Sequence, residues 1–247
     1  MSLQIQMLGT GSAFAKKFYN NNALVYCNGY TLLIDCGFTA PRSLYELKIP
    51  LNQIDAILIT HIHADHVGGL EEMAFQLKYV FNTRIKLIVP ATIVDPLWDT
   101  SLKGGLSNPA EGMTGLDDYF EVIIVDEGDI IPLHDGFNIE LVLTEHIPNK
   151  PSYSVYLNDN TFFSADMKFM PALIHHVHYE RKCKYILHEC QLFSPGLVHA
   201  TLDELLTLPE SIQEKILLMH YGDNISQFVG NTGRMEIMEQ HRIYQFP

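Results

Sequence analysis

The sequence is short of positive charge. Lys and Arg number 16 against 29 Asp and Glu, a formal net charge of −13 with His neutral. A protein that grips a long phosphate backbone needs clustered Lys and Arg, so the balance argues against an extended nucleic-acid surface. A small anionic substrate remains compatible, because bound metal ions reverse the local field. Cysteine is sparse: Cys27, Cys36, Cys183 and Cys190 form no C-x-x-C pair. All four sit in apolar segments, which reads as free buried thiols and fits a reducing cytoplasm. No apolar run is long enough to cross a bilayer. The opening Met1-Ser2-Leu3-Gln4-Ile5-Gln6 has neither the basic head nor the apolar core of a signal peptide. The turn Gly9-Thr10-Gly11-Ser12 does not complete the G-x-x-x-x-G-K-[ST] phosphate loop. Linkers, low-complexity tracts and short tandem repeats are missing as well, so 1–247 reads as a single domain.

What the chain has instead is histidine in one dense stretch, Thr60-His61-Ile62-His63-Ala64-Asp65-His66-Val67-Gly68-Gly69. It follows the apolar run Ala56-Ile57-Leu58-Ile59 and precedes a helix-patterned segment at 70–80. Imidazole nitrogen and carboxylate oxygen are the usual ligands of Zn²⁺ and similar ions. A strand that delivers His61, His63, Asp65 and His66 into a tight loop therefore points to a metal site.

The remaining pattern places further polar residues at strand ends. Runs at 3–8, 23–27 and 31–34 read as strands, with Asn28-Gly29 as a hairpin turn. Asp35 follows the third and is positioned to orient the metal loop from behind. Helices are expected at 41–47 and 92–98, and a strand at 85–89. The segment 98–118 holds little periodicity, and 101–115 carries four of the sixteen glycines. It reads as an irregular insertion with short helices, a lid or an oligomer contact. Later strands are expected at 120–125, 130–133, 137–144, 153–157, 161–164, 185–187 and 216–219. Pro148, Asn149 and Pro151 read as a loop before the 153–157 strand. Helices are expected at 169–180, at 201–208 with a Thr201/Glu204 capping box, and at 232–240. His146, Asp166, Glu189 and His220 each follow one of these strands. Each half is strand-rich first and then alternates strand with helix, which predicts an α/β (α+β) architecture of two packed sheets with helices outside. In that arrangement the strand ends meet at one edge.

Singly, His146 or His220 reads as a structural histidine and Asp166 as a turn residue. Together with the loop they make seven ligands, too many for one tetrahedral ion. They suit two ions about 3.5–4 Å apart with a shared bridge. The division expected is His61, His63 and His146 on one ion, Asp65, His66 and His220 on the other, and Asp166 between them.

His61-x-His63-x-Asp65-His66, with His146, Asp166 and His220 at later strand ends, resembles the metallo-β-lactamase superfamily over nearly the whole chain. The resemblance implies a four-layer αββα sandwich. A carboxylate at Asp166 speaks against a lactamase with a cysteine ligand. His188-Glu189 followed by His199-Ala200-Thr201 resembles the phosphodiesterase branch that includes ribonuclease Z, and implies that Glu189 and His199 serve the leaving oxygen. Several loops are similar to those of the anti-Pycsar proteins. They include Leu8-Gly9-Thr10-Gly11-Ser12-Ala13-Phe14, Leu102-Lys103-Gly104-Gly105-Leu106-Ser107, His146-Ile147-Pro148-Asn149-Lys150-Pro151-Ser152-Tyr153 and Leu218-Met219-His220-Tyr221-Gly222-Asp223. That likeness implies zinc-dependent opening of 3′,5′-cyclic nucleotides (cCMP, cUMP, cAMP and cGMP) to 5′-monophosphates by a homodimer, with manganese the alternative to zinc. Asp65, Glu189 and His199 are the catalytic candidates; Phe14 and Trp98 each read first as core aromatics, with stacking on a base as the alternative.

Three rivals stand beside this reading. A ribonuclease Z-like RNA-processing enzyme is disfavoured by the acidic charge and by an insertion whose sole cation is Lys103. A lactone or thioester hydrolase has less need of a Glu189–His199 acid. A non-catalytic nucleotide-binding protein would not require the complete ligand set.

Overall fold

The computed structural model describes residues 3–247. Met1 and Ser2, part of the stretch read as lacking a leader, lie outside the described residues. Six strands build the first sheet in chain order: β1 (Leu3–Met7), β2 (Ala23–Cys27), β3 (Tyr30–Ile34), β4 (Ala56–Leu58), β5 (Lys86–Pro90) and β6 (Glu121–Val125). Seven build the second: β7 (Ile130–His134), β8 (Phe137–Ile147), β9 (Lys150–Leu157), β10 (Thr161–Phe163), β11 (Tyr185–Glu189), β12 (Ile216–Met219) and β13 (Glu236–Ile237). The last strand, β14 (Ile243–Phe246), returns to pair with β1, so each sheet has seven strands. The halves share one scheme. In the first, β1 to β3 are antiparallel and β3 to β6 parallel. In the second, β7 to β10 are antiparallel and β10 to β13 parallel.

The alternation of side chains along each strand sets the layers. Leu32 and Ile34 of β3 join Ala56 and Leu58 of β4 against Phe163, Leu187 and Met219 of the other sheet. Leu33 and Ile57 face the other way, onto Leu44, Leu70 and Met73 of the outer helices Ala40–Glu46 and Leu70–Phe75. Across the molecule Phe162, Ile186 and Leu218 meet Ile174, Leu202 and Leu205 of a second helical layer. Strands buried on both faces read as unbroken apolar runs, and β4 is buried at all three positions. The result is the expected αββα sandwich. Among the described residues no helix is long and apolar enough to cross a membrane.

The Asn28-Gly29 turn has both residues in the left-handed region (φ 50° and 83°), as a tight hairpin requires. The Thr201 capping box is formed: the Glu204 amide donates to Thr201 Oγ1 and the Thr201 amide to Glu204 Oε2. The expected helices at 70–80 and 169–180 are present from Leu70 and Pro171, each ending in a wider π-helical turn, Gln76–Val80 and His176–Glu180.

Three expectations are corrected. The segment 232–240 is not a helix. Gly233 has φ +62°, which interrupts a helix, and two sheet edges stand open beside it. The chain fills both, as β13 along β12 and β14 along β1. The segment 98–118 is more regular than expected: helical turns run Val94–Pro96, Leu97–Leu102 and Lys103–Leu106, and only its second half is loop with short 3₁₀ turns. Leu97, Leu102 and Leu106 are buried beneath them, so packing overrides the cost of two glycines. Finally, 148–151 is a hairpin tip, with Ile147 paired to Lys150 and β9 beginning three residues before the expected Tyr153.

Candidate metal centre

The site lies where the C-terminal ends of the parallel strands of the two sheets meet. Asp35 follows β3, the His/Asp loop follows β4, Asp166 follows β10, Glu189 closes β11 and His220 follows β12. His146 reaches it from β8, where the register shifts between Thr144 and Ile147 and re-aims the side chain. Asp35, Ala165 and His220 hold φ of 60°, 47° and 56°, a left-handed conformation uncommon for residues with a Cβ. Three such turns at strand ends facing one point mark a constrained site.

The loop after β4 is fixed from beneath. Gly37 lies so close to it that a Cβ would meet the Asp65 carbonyl at 1.9 Å, a contact only glycine allows. Asn22 bridges the same two segments, donating to the Asp65 carbonyl and accepting from the Gly37 amide. The Asp35 carboxylate accepts from the Thr60 amide and hydroxyl, both at 2.8 Å, and lies 2.7 Å from His66 Nδ1. Thr60 Oγ1 in turn is 3.1 Å from His61 Nδ1. These contacts leave the Nε2 atoms of His61 and His66 pointing inward.

Four overlapping groups of His, Asp and Glu are close enough to hold an ion; Asp35 with His61 and His66, and Glu189 with His199 and His220, are two of them, and the other two contain the seven expected ligands. In the first of these latter two, His61 Nε2 and His146 Nε2 lie 3.0 and 3.4 Å from His63 Nδ1, and 3.7 and 3.9 Å from Asp166 Oδ2. In the second, His66 Nε2 and His220 Nε2 lie 3.2 and 3.5 Å from Asp65 Oδ2. Both are 3.4 Å from Asp166 Oδ1. Asp166 thus presents one oxygen to each group. All seven residues are brought together in the division expected from the sequence.

The donors fit divalent cations. His66 Nε2 and Asp166 Oδ1 are buried with no hydrogen-bond partner, and a buried polar atom left so is costly. Among the described residues, no Lys or Arg pairs with Asp35, Asp65, Asp166 or Glu189, so their charge must be balanced otherwise. Without ions, protons on histidine supply it. Burial opposes charge on His220, but Asp166, Asp65 and Glu189 outweigh it and push the imidazole up to about 10. His66 is raised against burial in the same way by Asp166, Asp65 and Asp35. Burial works against Asp166 too, yet His220 and His66 hold its carboxyl well below the usual range. In the first group burial and neighbouring imidazoles keep His61 low and His63 at about 4, so their nitrogens stay free to ligate.

Glu189 and His199 form a pair beside this centre. His199 Nδ1 lies 2.8 and 3.1 Å from the two Glu189 oxygens, and the Met167 amide also donates to Glu189. The His199 ring stands 4.8 Å from His146 and 5.1 Å from His220. Burial lowers the His199 imidazole, but the Glu189 carboxylate more than offsets this and the net direction is up. Two cavities reach more than one histidine of the centre, and a third of about 810 Å³ touches it at His146 alone. One of about 350 Å³ meets His61, His63 and His146, with Thr92, Ser101 and Lys150 on its walls. A smaller one of about 140 Å³ meets His199 and His220. Trp98 is not at either; it packs against the outer helical layer.

Sequence reading missed the supporting groups: the Thr60 hydroxyl, the Asn22 amide and the Val198 carbonyl, which lies 2.7 Å from His146 Nδ1. The polar run Asn20-Asn21-Asn22 was the one visible signal: Asn22 forms the bridge described above and Asn20 Oδ1 accepts from Thr39, whereas the Asn21 side-chain amide is buried without a partner.

A family model described as Anti-Pycsar protein Apyc1 matches residues 3–244. The chain belongs to this family. The family's protein from Paenibacillus xerothermodurans is 60% identical over 246 residues, covering 100% of this chain and 98% of that one. A member from Bacillus phage vB_BsuM-Goe3 is 46% identical, covering 97% and 96%. Among solved structures, the metallo-beta-lactamase fold protein YhfI from Bacillus subtilis superposes with a TM-score of 0.76 over 99% of this chain and 100% of that one, at 16% identity. The chain therefore has the metallo-β-lactamase fold that the resemblance implied.

Proposed function

We propose that the chain is a two-metal phosphodiesterase that opens 3′,5′-cyclic mononucleotides to nucleoside 5′-monophosphates. In this reading it counters a cyclic-nucleotide antiviral signal, which the family's description, anti-Pycsar, supports. The observation that carries it is the Glu189–His199 pair set against two ligand groups that share Asp166. His61, His63 and His146 would hold one ion and Asp65, His66 and His220 the other, with Asp166 on both. Zinc suits the imidazole–carboxylate donors, and manganese is the alternative. Such ions supply Lewis acidity for the phosphoryl oxygens and for the attacking water.

The chain's own residues do the rest. Asp35 fixes the His66 ring through Nδ1, and the Val198 carbonyl fixes His146. Glu189 holds His199 through Nδ1 and leaves Nε2 to carry a proton toward the leaving oxygen. Water adds to phosphorus, the bond to the ribose 3′-oxygen breaks, and His199 donates the proton that this oxygen needs. The 3′-hydroxyl is freed and phosphate stays on the 5′-carbon. A net charge of −13 favours a mononucleotide over a polymer. The working form is a homodimer in the cytoplasm, in line with four free buried thiols.

The test is a substrate panel: cCMP, cUMP, cAMP and cGMP, a cyclic dinucleotide, unprocessed transfer RNA and a lactone, each incubated with the zinc-loaded protein. Chromatography should find 5′-monophosphates from the cyclic mononucleotides. Consumption of the RNA or the lactone alone would overturn the proposal.

A further inference from the structure

The two cavities are not equivalent. The larger meets the His61, His63 and His146 side of the centre, and His199 does not line it. The smaller has His199 and His220 at its inner end. If His199 serves the leaving oxygen, the group that carries that oxygen lies on the second side. In a 3′,5′-cyclic nucleotide both ester oxygens belong to one ribose, so the nucleoside follows its leaving oxygen into that cavity.

Its walls are mainly apolar and include Phe14, Leu192 and Phe193, with the polar side chains of Ser12, Gln191 and Asn224 beside them. Phe14 is 88% and Phe193 68% exposed, the highest values for any phenylalanine here. Rings left exposed at the mouth of a cavity that ends on a polar site are accessible to stack on a ligand. Both rings stand on loops that are tied down. The Phe14 loop is held by the Asp223 carboxylate, which accepts from the Lys16 amide (2.9 and 3.0 Å) and the Lys17 amide (2.8 Å). The Ser12 amide adds a bond to the Tyr221 carbonyl, next to the ligand His220. The Phe193 loop is held by Gln191, whose side-chain amide donates to the Phe193 and Pro195 carbonyls at 2.6 and 3.0 Å. That same loop carries Val198 and His199, so one tether sets the ring and the acid together. Rings presented on pinned loops lose little freedom on binding.

We propose that Phe14 and Phe193 form an aromatic clamp for the nucleobase of the substrate, at the mouth of the cavity that ends on His199. The inference rests on the cyclic-nucleotide reading above and adds where the base goes and how it is read. The walls named offer the base face-on stacking, which every base can accept. The clamp therefore gives affinity for nucleosides without strong choice among pyrimidines and purines.

The test compares cyclic nucleotides with methyl ribofuranoside 3′,5′-cyclic phosphate, which has the same ring phosphate and no base. Stacking on an aromatic ring is worth about 1–3 kcal/mol per base, or about 5- to 150-fold. Phe14→Ala and Phe193→Ala should each lower kcat/KM for cCMP and cAMP by a factor in that range relative to the base-less analogue. The loss should fall on KM, and Phe14→Trp should restore it. Metal content, melting temperature and elution volume are measured on each variant. If both substrates fall alike, or neither changes, the clamp is refuted. If a variant shifts elution volume while both substrates fall alike, the rings are a contact between copies and the clamp is again refuted. If the wild-type protein opens no cyclic nucleotide, the functional reading itself fails, and the clamp with it.

Discussion

Asp35→Asn probes whether a residue that reaches the metal groups only through another side chain controls them. Asp35 is fully buried, and its carboxylate meets His66 Nδ1 at 2.7 Å and two Thr60 donors at 2.8 Å. Asparagine is the right replacement because the backbone there has φ 60°, which Asn tolerates and Ala does not. The amide can still accept from the Thr60 N–H. Its NH₂ group, however, now faces His66 Nδ1 and can only donate. For His66 Nε2 to ligate, Nδ1 must carry the proton, so two donors meet, and either the ring turns or the tautomer reverses. A hydrogen bond to a charged group contributes about 1.5–3 kcal/mol. Its loss in the metal-bound state corresponds to about 10- to 100-fold in affinity, the range found when outer partners of ligands are removed. On the two-ion proposal, the affected ion would be the one on Asp65, His66 and His220, and the other group would be spared. Chelator competition with zinc, read against total metal by atomic emission, should show one site weakened by that factor and the other unchanged. Wild-type affinity at both sites would refute the coupling through Asp35. Equal weakening at both would show that Asp35 acts on the whole loop rather than on His66.

Further predictions follow from the same geometry. Asp166→Ala removes the one oxygen donor common to both groups and should abolish turnover and lower zinc content at both sites, measured by emission and dialysis; retention of two tightly held ions would contradict the shared role. His199→Ala should lower kcat by about 10²- to 10⁴-fold with zinc content intact, as removal of a general acid does. Because His199 is raised from its ordinary value of 6.5, its protonated form is available below the raised pKa and is lost as pH climbs through it. The wild-type rate should therefore decline on an alkaline limb above 6.5 that the variant lacks, seen in a pH–kcat profile. Burial pushes the Cys36 and Cys190 thiols up, and all four cysteines are free and buried. Ellman's reagent should leave these two unlabelled in the native protein and label all four after denaturation.

Some of this was readable without a structure because the physics is local. An apolar run such as Ala56–Leu58 must be buried, and polar residues that follow it must emerge at a sheet edge. Four ligands within six residues need no tertiary information to be noticed, and a Thr-x-x-Glu capping box forms from its own backbone. The same local reading failed at 232–240, where a helix was expected and the chain forms the short strand Glu236–Ile237 instead. Open edges at β12 and β1 decided the matter, and a backbone cannot display in sequence which edges stand open. It failed likewise at 98–106, where burial of Leu97, Leu102 and Leu106 overrode a glycine-rich composition.

By itself, then, the sequence determined the candidate ligand residues, their two halves and the sandwich that carries them, since composition and periodicity follow from which surfaces must leave water. The division of the candidate ligands, with Asp166 between them, was expected from the sequence; the tertiary structure decided which atoms meet and what holds them. Asp166 offering one oxygen to each group, Asp35 reaching His66 past Thr60, and His199 guarding the smaller cavity are relations between residues 10 to 155 positions apart. Such distances are set by the packing of two sheets, and no spacing along the chain encodes them.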